Sequence, residues 1–392
     1  MRIVKTETLH ADAGWRTLSF LKITTDEGIV GYSEYNESFG SKGTTHAVEN
    51  MAPLIEGTDP LEHAVTSSRL YAMTRLARGG VNAQAIAAIE NALLDIKGKA
   101  LNVPVHALLG GKQRDTLPLY WSHCGTFRMG EATAEFIRKP VITSAKDLID
   151  LGAEVKESGY KALKCNMYFF GAGNYFRGGF GTNLLPREES MNADSDQLKA
   201  LVAQMTALRE GAGDDIDILL DMNFSFKTEG FLKVMRALKQ FDLFWYELDM
   251  FNPKSLAYIR EHGGVPIASC ESLYGIREFS PYFEQRSMDV VIIDVPWNGA
   301  WQSYKIAAMA DAHEVNVAPH NFYGHLASAM SANFCAALPN FRIMEIEVDD
   351  VAWKDHLVTH PPEIRNGEYL VSDRPGWGTD VNEEAVLAHP PR

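Results

Sequence analysis

The sequence predicts an α/β protein built around a (β/α) barrel, for three reasons. First, between Asp217 and Glu347 six apolar, strand-like segments each run into one acidic or imidazole residue. DILLD ends at Asp221, LFWYE at Glu247, PIASCE at Glu271, DVVIID at Asp294, VNVAPH at His320 and FRIME at Glu345. Second, successive ends lie 26, 24, 23, 26 and 25 residues apart by subtraction of those positions, the length of one strand, one helix and two short loops. Third, strand ends in such a barrel converge on one face, where active sites are built. Six polar ends in register therefore mark a candidate site.

Composition narrows the class. A chain of 392 residues accommodates a barrel with an added domain. Its 46% apolar and 22% charged content is that of an ordinary globular protein. A net charge of −14, with no block of lysines or arginines, argues against nucleic-acid binding. It is compatible with an anionic small substrate, because local cations dominate inside a cleft. The four cysteines are dispersed and form no CxxC pair, as in a reduced, cytoplasmic protein. The start MRIVKTETLH has no apolar core, and no run approaches the roughly 18 apolar residues of a span, so no membrane association is expected.

In chain order, residues 1–113 read as an α+β unit. TLSFLKIT (17–24) and IVGYSEYN (29–36) are strands joined by the turn TDEG. Asp59-Pro60 reads as a helix start. From Val81 to Leu101 a helix places Ile86, Ile89, Leu93, Ile96 and Ala100 on one face. Gly110-Gly111 closes the unit, and the barrel is expected over 114–349. It begins with Leu117–Phe127, followed by a helix near Ser144–Ser158 and the strand YKALKCN, whose alternation puts Lys164 and Asn166 on one face. Lys164 to Asp221 spans 57 residues, twice the later period, because Met167–Ala193 is a long Gly- and aromatic-rich stretch. Such a loop at a barrel mouth reads equally as a lid or as a plain connection. Residues 350–392 are a tail expected to pack back on the N-terminal unit.

The strand ends allow specific chemistry. Asp221, Glu247 and Glu271 are three hard oxygen donors that suit one Mg²⁺ per subunit, and their mutual repulsion calls for a cation. The competing reading is strand-end acids paired with lysines. Asp294 and His320 form a carboxylate–imidazole pair suited to general-base work. His10, His313 and His356 read as structural. Lys164 is placed to contact a substrate carboxylate or to act as a second acid/base, and Glu345 to donate to the other carboxylate oxygen if protonated. A metal, a base and cationic partners around a carboxylate suit removal of the proton alpha to it.

These segments, together with TDEGIVGYSE, AIENALLDIKGKALNVPVHALLGG, ASCESLYG and APHN, make the chain resemble the enolase superfamily, in its mandelate racemase-like branch. The resemblance covers nearly the whole chain. It implies a modified (β/α)7β TIM-type barrel with an α+β capping domain formed by the N-terminal region and the C-terminal tail. It implies Mg²⁺ on Asp221, Glu247 and Glu271, an Asp294–His320 dyad, Glu345 facing the substrate carboxylate, and a homo-oligomer. Three departures stand out. The second lysine of the family's KxK motif is Asn166; the histidine some members carry after the metal Asp is Asn223; and Glu-Glu-Pro is here Glu247-Leu248-Asp249.

The expected function is Mg²⁺-dependent dehydration of a sugar acid, an aldonate or aldarate, to a 2-keto-3-deoxy acid. Trp15, Arg16, Asn166, Tyr168 and Asn223 are the expected substrate contacts, with Tyr175 and Arg177 as further candidates in the long loop. The alternative is an epimerase, racemase or cycloisomerase of a hydroxy acid using the same proton abstraction.

Overall fold

Three antiparallel strands in sequence order, β1 (Ile3–Asp12), β2 (Thr17–Thr25) and β3 (Val30–Asn36), form the N-terminal sheet. The computed structural model describes residues 1–38, 41–170, 175–177 and 192–391. β2 and β3 are the hairpin read from the sequence. β1 is an addition: its outer face carries an exposed Lys5–Glu7 pair at 2.7 Å, which masks the apolar alternation. Helix Gly80–Ala100 packs on this sheet so tightly that a Cβ on Gly31 of β3 would lie 2.3 Å from the carbonyl oxygen of Ala92. Ile89, Leu93 and Ile96 are buried as expected, whereas Ala100 is exposed. Asp59-Pro60 does not begin a helix. The Asp59 carboxylate accepts from the Leu61 N–H at 2.9 Å to close a turn, and the helix runs His63–Thr74.

The barrel strands are β4 (Thr116–Ser122), β5 (Ala162–Cys165), β8 (Asp217–Asn223), β9 (Trp245–Leu248), β10 (Ile267–Ser269), β11 (Val290–Asp294), β12 (Asn316–His320) and β13 (Met344–Glu347). Between β5 and β8 a short antiparallel hairpin, β6 (Met167–Phe169) and β7 (Tyr175–Arg177), leaves the mouth of the barrel. The rest of the 171–191 segment and the side chains of Tyr175 and Arg177 lie outside the described residues. The parallel order is β13-β4-β5-β8-β9-β10-β11-β12, and a bridge between Val317 and Phe341 closes the ring. β4 stops at Ser122, and Thr126–Arg128 is a 3₁₀ turn rather than more strand. Helix Ala145–Glu157 matches its expectation, with Ser144 and Asp147 in a capping box.

Inward-facing residues stack in layers. Tyr120, Ala162, Leu219, Trp245, Ile292 and Ala318 pack into one apolar cluster. Two residues further along the same strands stand Ser122, Lys164, Asp221, Glu247, Asp294 and His320. Period-two alternation thus sets a polar layer directly on an apolar floor.

The tail joins both units. Its hairpin β14 (Ile364–Arg365) and β15 (Glu368–Leu370) adds antiparallel to the start of β4. Beyond it, Trp377 donates from Nε1 to the Tyr32 carbonyl at 3.0 Å, and Lys22 pairs with Glu383 at 2.6 Å. All four cysteines are free and buried. Among the described residues no helix is long and apolar enough to cross a membrane.

Candidate active site

Lys164, on β5, sits at the centre of the polar layer. Its Nζ lies 2.7 Å from Glu247 Oε1 and 2.8 Å from Glu345 Oε1. Burial opposes its charge, but Glu247 and Glu345 outweigh that and hold it well above the usual lysine range. Lys164 is therefore a fixed ammonium. For Glu345 burial is also the largest opposing cause, yet Lys164 and His320 hold it at about 2. It accepts from Ser122 Oγ at 2.5 Å and from the Asn321 N–H at 2.6 Å. Glu345 thus accepts hydrogen bonds here, with the Lys164 ammonium beside it.

Asp294, ending β11, meets His320, ending β12. The two are register partners, and His320 Nδ1 lies 2.6 Å from Asp294 Oδ2. Tyr323 donates to the same oxygen at 2.5 Å, and the Trp297 N–H donates to Oδ1 at 2.8 Å. The imidazole therefore carries its Nδ1 proton toward Asp294, leaving Nε2 to the cleft. Nε2 lies 3.6 Å from Glu271 Oε2. Burial opposes charge on His320, but Glu271 and Asp294 raise it to about 10.

Asp221 accepts from Asn166 Nδ2 at 3.4 Å and from the Asn223 N–H at 2.9 Å. Asn166 also accepts from Thr126 Oγ1 at 2.5 Å. Glu247 is pushed up to about 7 by burial and by the repulsion of Asp221 and Glu345, which Lys164 partly offsets. Glu271 is pushed well above the usual range, first by burial, with Asp249, Asp221 and Glu247 adding repulsion. The three carboxylates thus share one electrostatic neighbourhood.

Of the expected substrate contacts, Asn166 and Asn223 flank Asp221. Trp15 stacks on Phe127 at 4.0 Å and lies 6.4 Å from Phe322, whose ring is 4.9 Å from that of His320. Arg16 lies under Trp15, paired with Asp350 and donating to the Tyr323 carbonyl at 3.4 Å, while its Nε and Nη1 are buried without hydrogen-bond partners among the described residues. Tyr168 is different. It is fully buried and spends its hydroxyl on the Cys124 carbonyl at 2.5 Å, so it braces the loop beneath Asn166 and does not line the cleft.

Two site residues had no expectation. His123, one residue past β4 with φ of 44°, is buried, 2.9 Å from Glu347 Oε2, and close enough to Glu345, Lys164, Asp221 and His320 to feel their charges. Burial pushes it down to about 3, so it is neutral. Asp249 follows Glu247 by two residues on the same face. The signal for both was in the strand pattern: a polar residue near a strand end facing the barrel.

The chain matches the family model "Mandelate racemase / muconate lactonizing enzyme, N-terminal domain" over residues 8–110 and "Enolase C-terminal domain-like" over residues 147–385. It belongs to the enolase superfamily. Within the mandelate racemase / muconate lactonizing enzyme family, relatives include the D-xylonate dehydratase of Haloferax volcanii, 28% identical over 99% of this chain and 88% of that protein. The D-galactonate dehydratase of Pectobacterium atrosepticum is 28% identical over 99% and 94%. A Burkholderia xenovorans LB400 protein, provisionally named an L-alanine-DL-glutamate epimerase and solved with magnesium and fumarate, is 51% identical over 100% of this chain and 96% of its own, with a TM-score of 0.96. The protein is thus an enolase-superfamily enzyme whose reaction begins with proton abstraction.

The donor chemistry fits the divalent metal that the superfamily uses. Asp221, Glu247 and Glu271 offer only hard oxygens, and burial raises the cost of charge on two of them until a cation arrives. Among the described residues no three acidic or imidazole groups converge closely enough to ligate one ion as they stand. Lys164 pairs with Glu247, and His320 Nε2 lies near Glu271.

Proposed function

We propose that this enzyme dehydrates a sugar acid, an aldonate or aldarate, to a 2-keto-3-deoxy acid. The observation that carries the reading is the unequal pair across the barrel. His320 has a dyad partner on Nδ1 and turns Nε2 toward Glu271 in the cleft, whereas Lys164 is a locked ammonium and the position of a second lysine is Asn166. One base and one electrophile suit elimination; a two-base inversion needs a base on each face.

In this reading Asp221, Glu247 and Glu271 hold Mg²⁺. When bound, it supplies positive charge beside the substrate carboxylate and takes up the carboxylates that otherwise keep His320 protonated. His320 Nε2 removes the C2 proton while Asp294 fixes its tautomer and balances the imidazolium. The ammonium of Lys164 faces the charge that grows on the substrate carboxylate. The C3 hydroxyl then leaves as water with a proton, from His320 in a syn elimination or from Lys164 in an anti one. The two carboxylates gripping Lys164 favour the syn course. The enol gains a proton at C3 and loses one from oxygen to give the keto acid. Trp15, Arg16, Asn166 and Asn223 ring the position of the polyol.

Epimerisation is the second reading, favoured by the likeness to the Burkholderia protein. A library of acid sugars with Mg²⁺, run in D₂O, separates the two. Keto acid trapped by semicarbazide supports dehydration; recovered epimer carrying deuterium at C2, without keto acid, overturns it. Self-association belongs to the same reading, supported by exposed Val65, Met73 and Leu76 on and beside helix His63–Thr74. A monomer by light scattering would remove it.

A further inference from the structure

Asp249 stands where the family pattern puts proline, and the structure gives it a place at the junction of three strand ends. Its N–H donates to the Asn223 carbonyl at 3.2 Å, at the end of β8. Its Oδ1 accepts from Ser269 Oγ at 2.9 Å and from the Cys270 N–H at 2.7 Å, at the end of β10. Asp221 and Glu247 stand on β8 and β9, and Glu271 stands two residues past β10. Cys270, immediately before Glu271, has φ of 90°, a conformation that a side chain makes costly. The hydrogen bond to its N–H holds that backbone, and with it the direction in which Glu271 leaves the strand.

The other oxygen has no such duty. Asp249 is 5% exposed, and its Oδ2 is buried with no hydrogen-bond partner among the described residues. A buried carboxylate oxygen left bare is expensive. Position explains where it faces. Residues 247 and 249 lie two apart on β9 and its extension, hence on the face that looks into the barrel mouth. Asp249 also lies near enough for Asp221 and His320 to act on its charge, and for its own charge to act on Glu271.

We propose that Asp249 is a fourth carboxylate of the metal site, a positioning residue whose Oδ1 sets the Glu271 backbone and whose Oδ2 adds a negative oxygen to the surroundings of the cation. It rests on the metal reading above. The two oxygens separate the roles. Asp249→Asn can keep an acceptor toward Ser269 and Cys270 while replacing the bare acceptor by an amide donor.

The test is calorimetric titration of Mg²⁺, and of Mn²⁺ by electron paramagnetic resonance, into the parent chain and its variants, with circular dichroism and melting recorded alongside. Asp249→Asn is expected to melt within about two degrees of the parent and to bind both ions at least tenfold more weakly. Ser269→Ala, which touches only the Oδ1 side, is expected to keep Mg²⁺ affinity within threefold. Should the Asn variant not fold, Asp249→Ser is read by the same tenfold threshold. A folded Asn or Ser variant with affinity within threefold of the parent overturns the proposal while leaving the metal site intact. A parent chain that binds neither ion overturns both.

Discussion

The ammonium of Lys164 is shared almost equally between Glu247 and Glu345, at 2.7 and 2.8 Å. One of these carboxylates is proposed to hold the metal and the other to face the substrate. The lysine therefore ties the two halves of the site together, and removing either acid shifts the other. Glu247→Gln is expected to weaken Mg²⁺ at least tenfold and to lower turnover, with EDTA abolishing the activity of the parent. Turnover indifferent to both would remove the metal assignment.

His320→Asn is expected to lower kcat by about 10³-fold or more while leaving Mg²⁺ affinity nearly unchanged. Tyr323→Phe keeps the dyad but removes one donor from Asp294 Oδ2. A loss of about tenfold is expected. Substantial turnover in the Asn variant would transfer the base role to Lys164.

Glu34, from β3, accepts from the Gly324 N–H at 2.6 Å and the Ala327 N–H at 2.9 Å, at the start of helix His325–Ala337. A buried acid from the cap thus caps the helix that follows His320. Glu34→Ala is expected to cost about 3 kcal/mol in urea unfolding, and Glu34→Gln, which keeps one acceptor, less. Equal stability of all three chains would show that the contact is idle.

Gly31→Ala drives a methyl group toward the Ala92 carbonyl and the Ile96 side chain at 2.3 and 2.5 Å. Overpacking of this kind costs about 1–3 kcal/mol, and a lower melting temperature measures it.

His63 is held neutral, pushed down to about 4 by burial with Lys97 adding to it. Its folded value lies below its unfolded one, so its contribution is present above about pH 6.5 and is lost as pH falls toward 4. Its ring packs edge-on against Trp301 at 5.8 Å. His63→Phe is expected to flatten that acid loss by about 2 kcal/mol once partial exposure is allowed for. Parallel stability–pH curves for the two chains would refute this.

The barrel was legible because its polar ends recur at one spacing, so Asp221, Glu247, Asp294 and His320 could be read as neighbours before any contact was known. Glu271 and Glu345 fell in the same series although one lies past its strand and the other inside it. What periodicity cannot show is which partner claims a side chain. Glu345 could not be read as ionised without Lys164, nor Tyr168 as a brace without the Cys124 carbonyl. Asp59-Pro60 misled because an Asx turn and a helix start use the same residues. β1 escaped because charged residues occupy its outer face, and Asp249 registered only as a missing proline.

The tail strand β15 lies against β4, with Glu368 opposite Pro118, partners 250 residues apart by subtraction. β4 takes its other late neighbour from β13. During synthesis, then, the first barrel strand emerges early and waits for both to leave the ribosome. Until then its edge is unpaired, and long-range pairing of this kind folds slowly and exposes aggregation-prone surface. Ser122 and His123 stand at the end of that same strand. The catalytic mouth is therefore assembled last, and a chain released early carries most of the acids of the site with no ring to hold them.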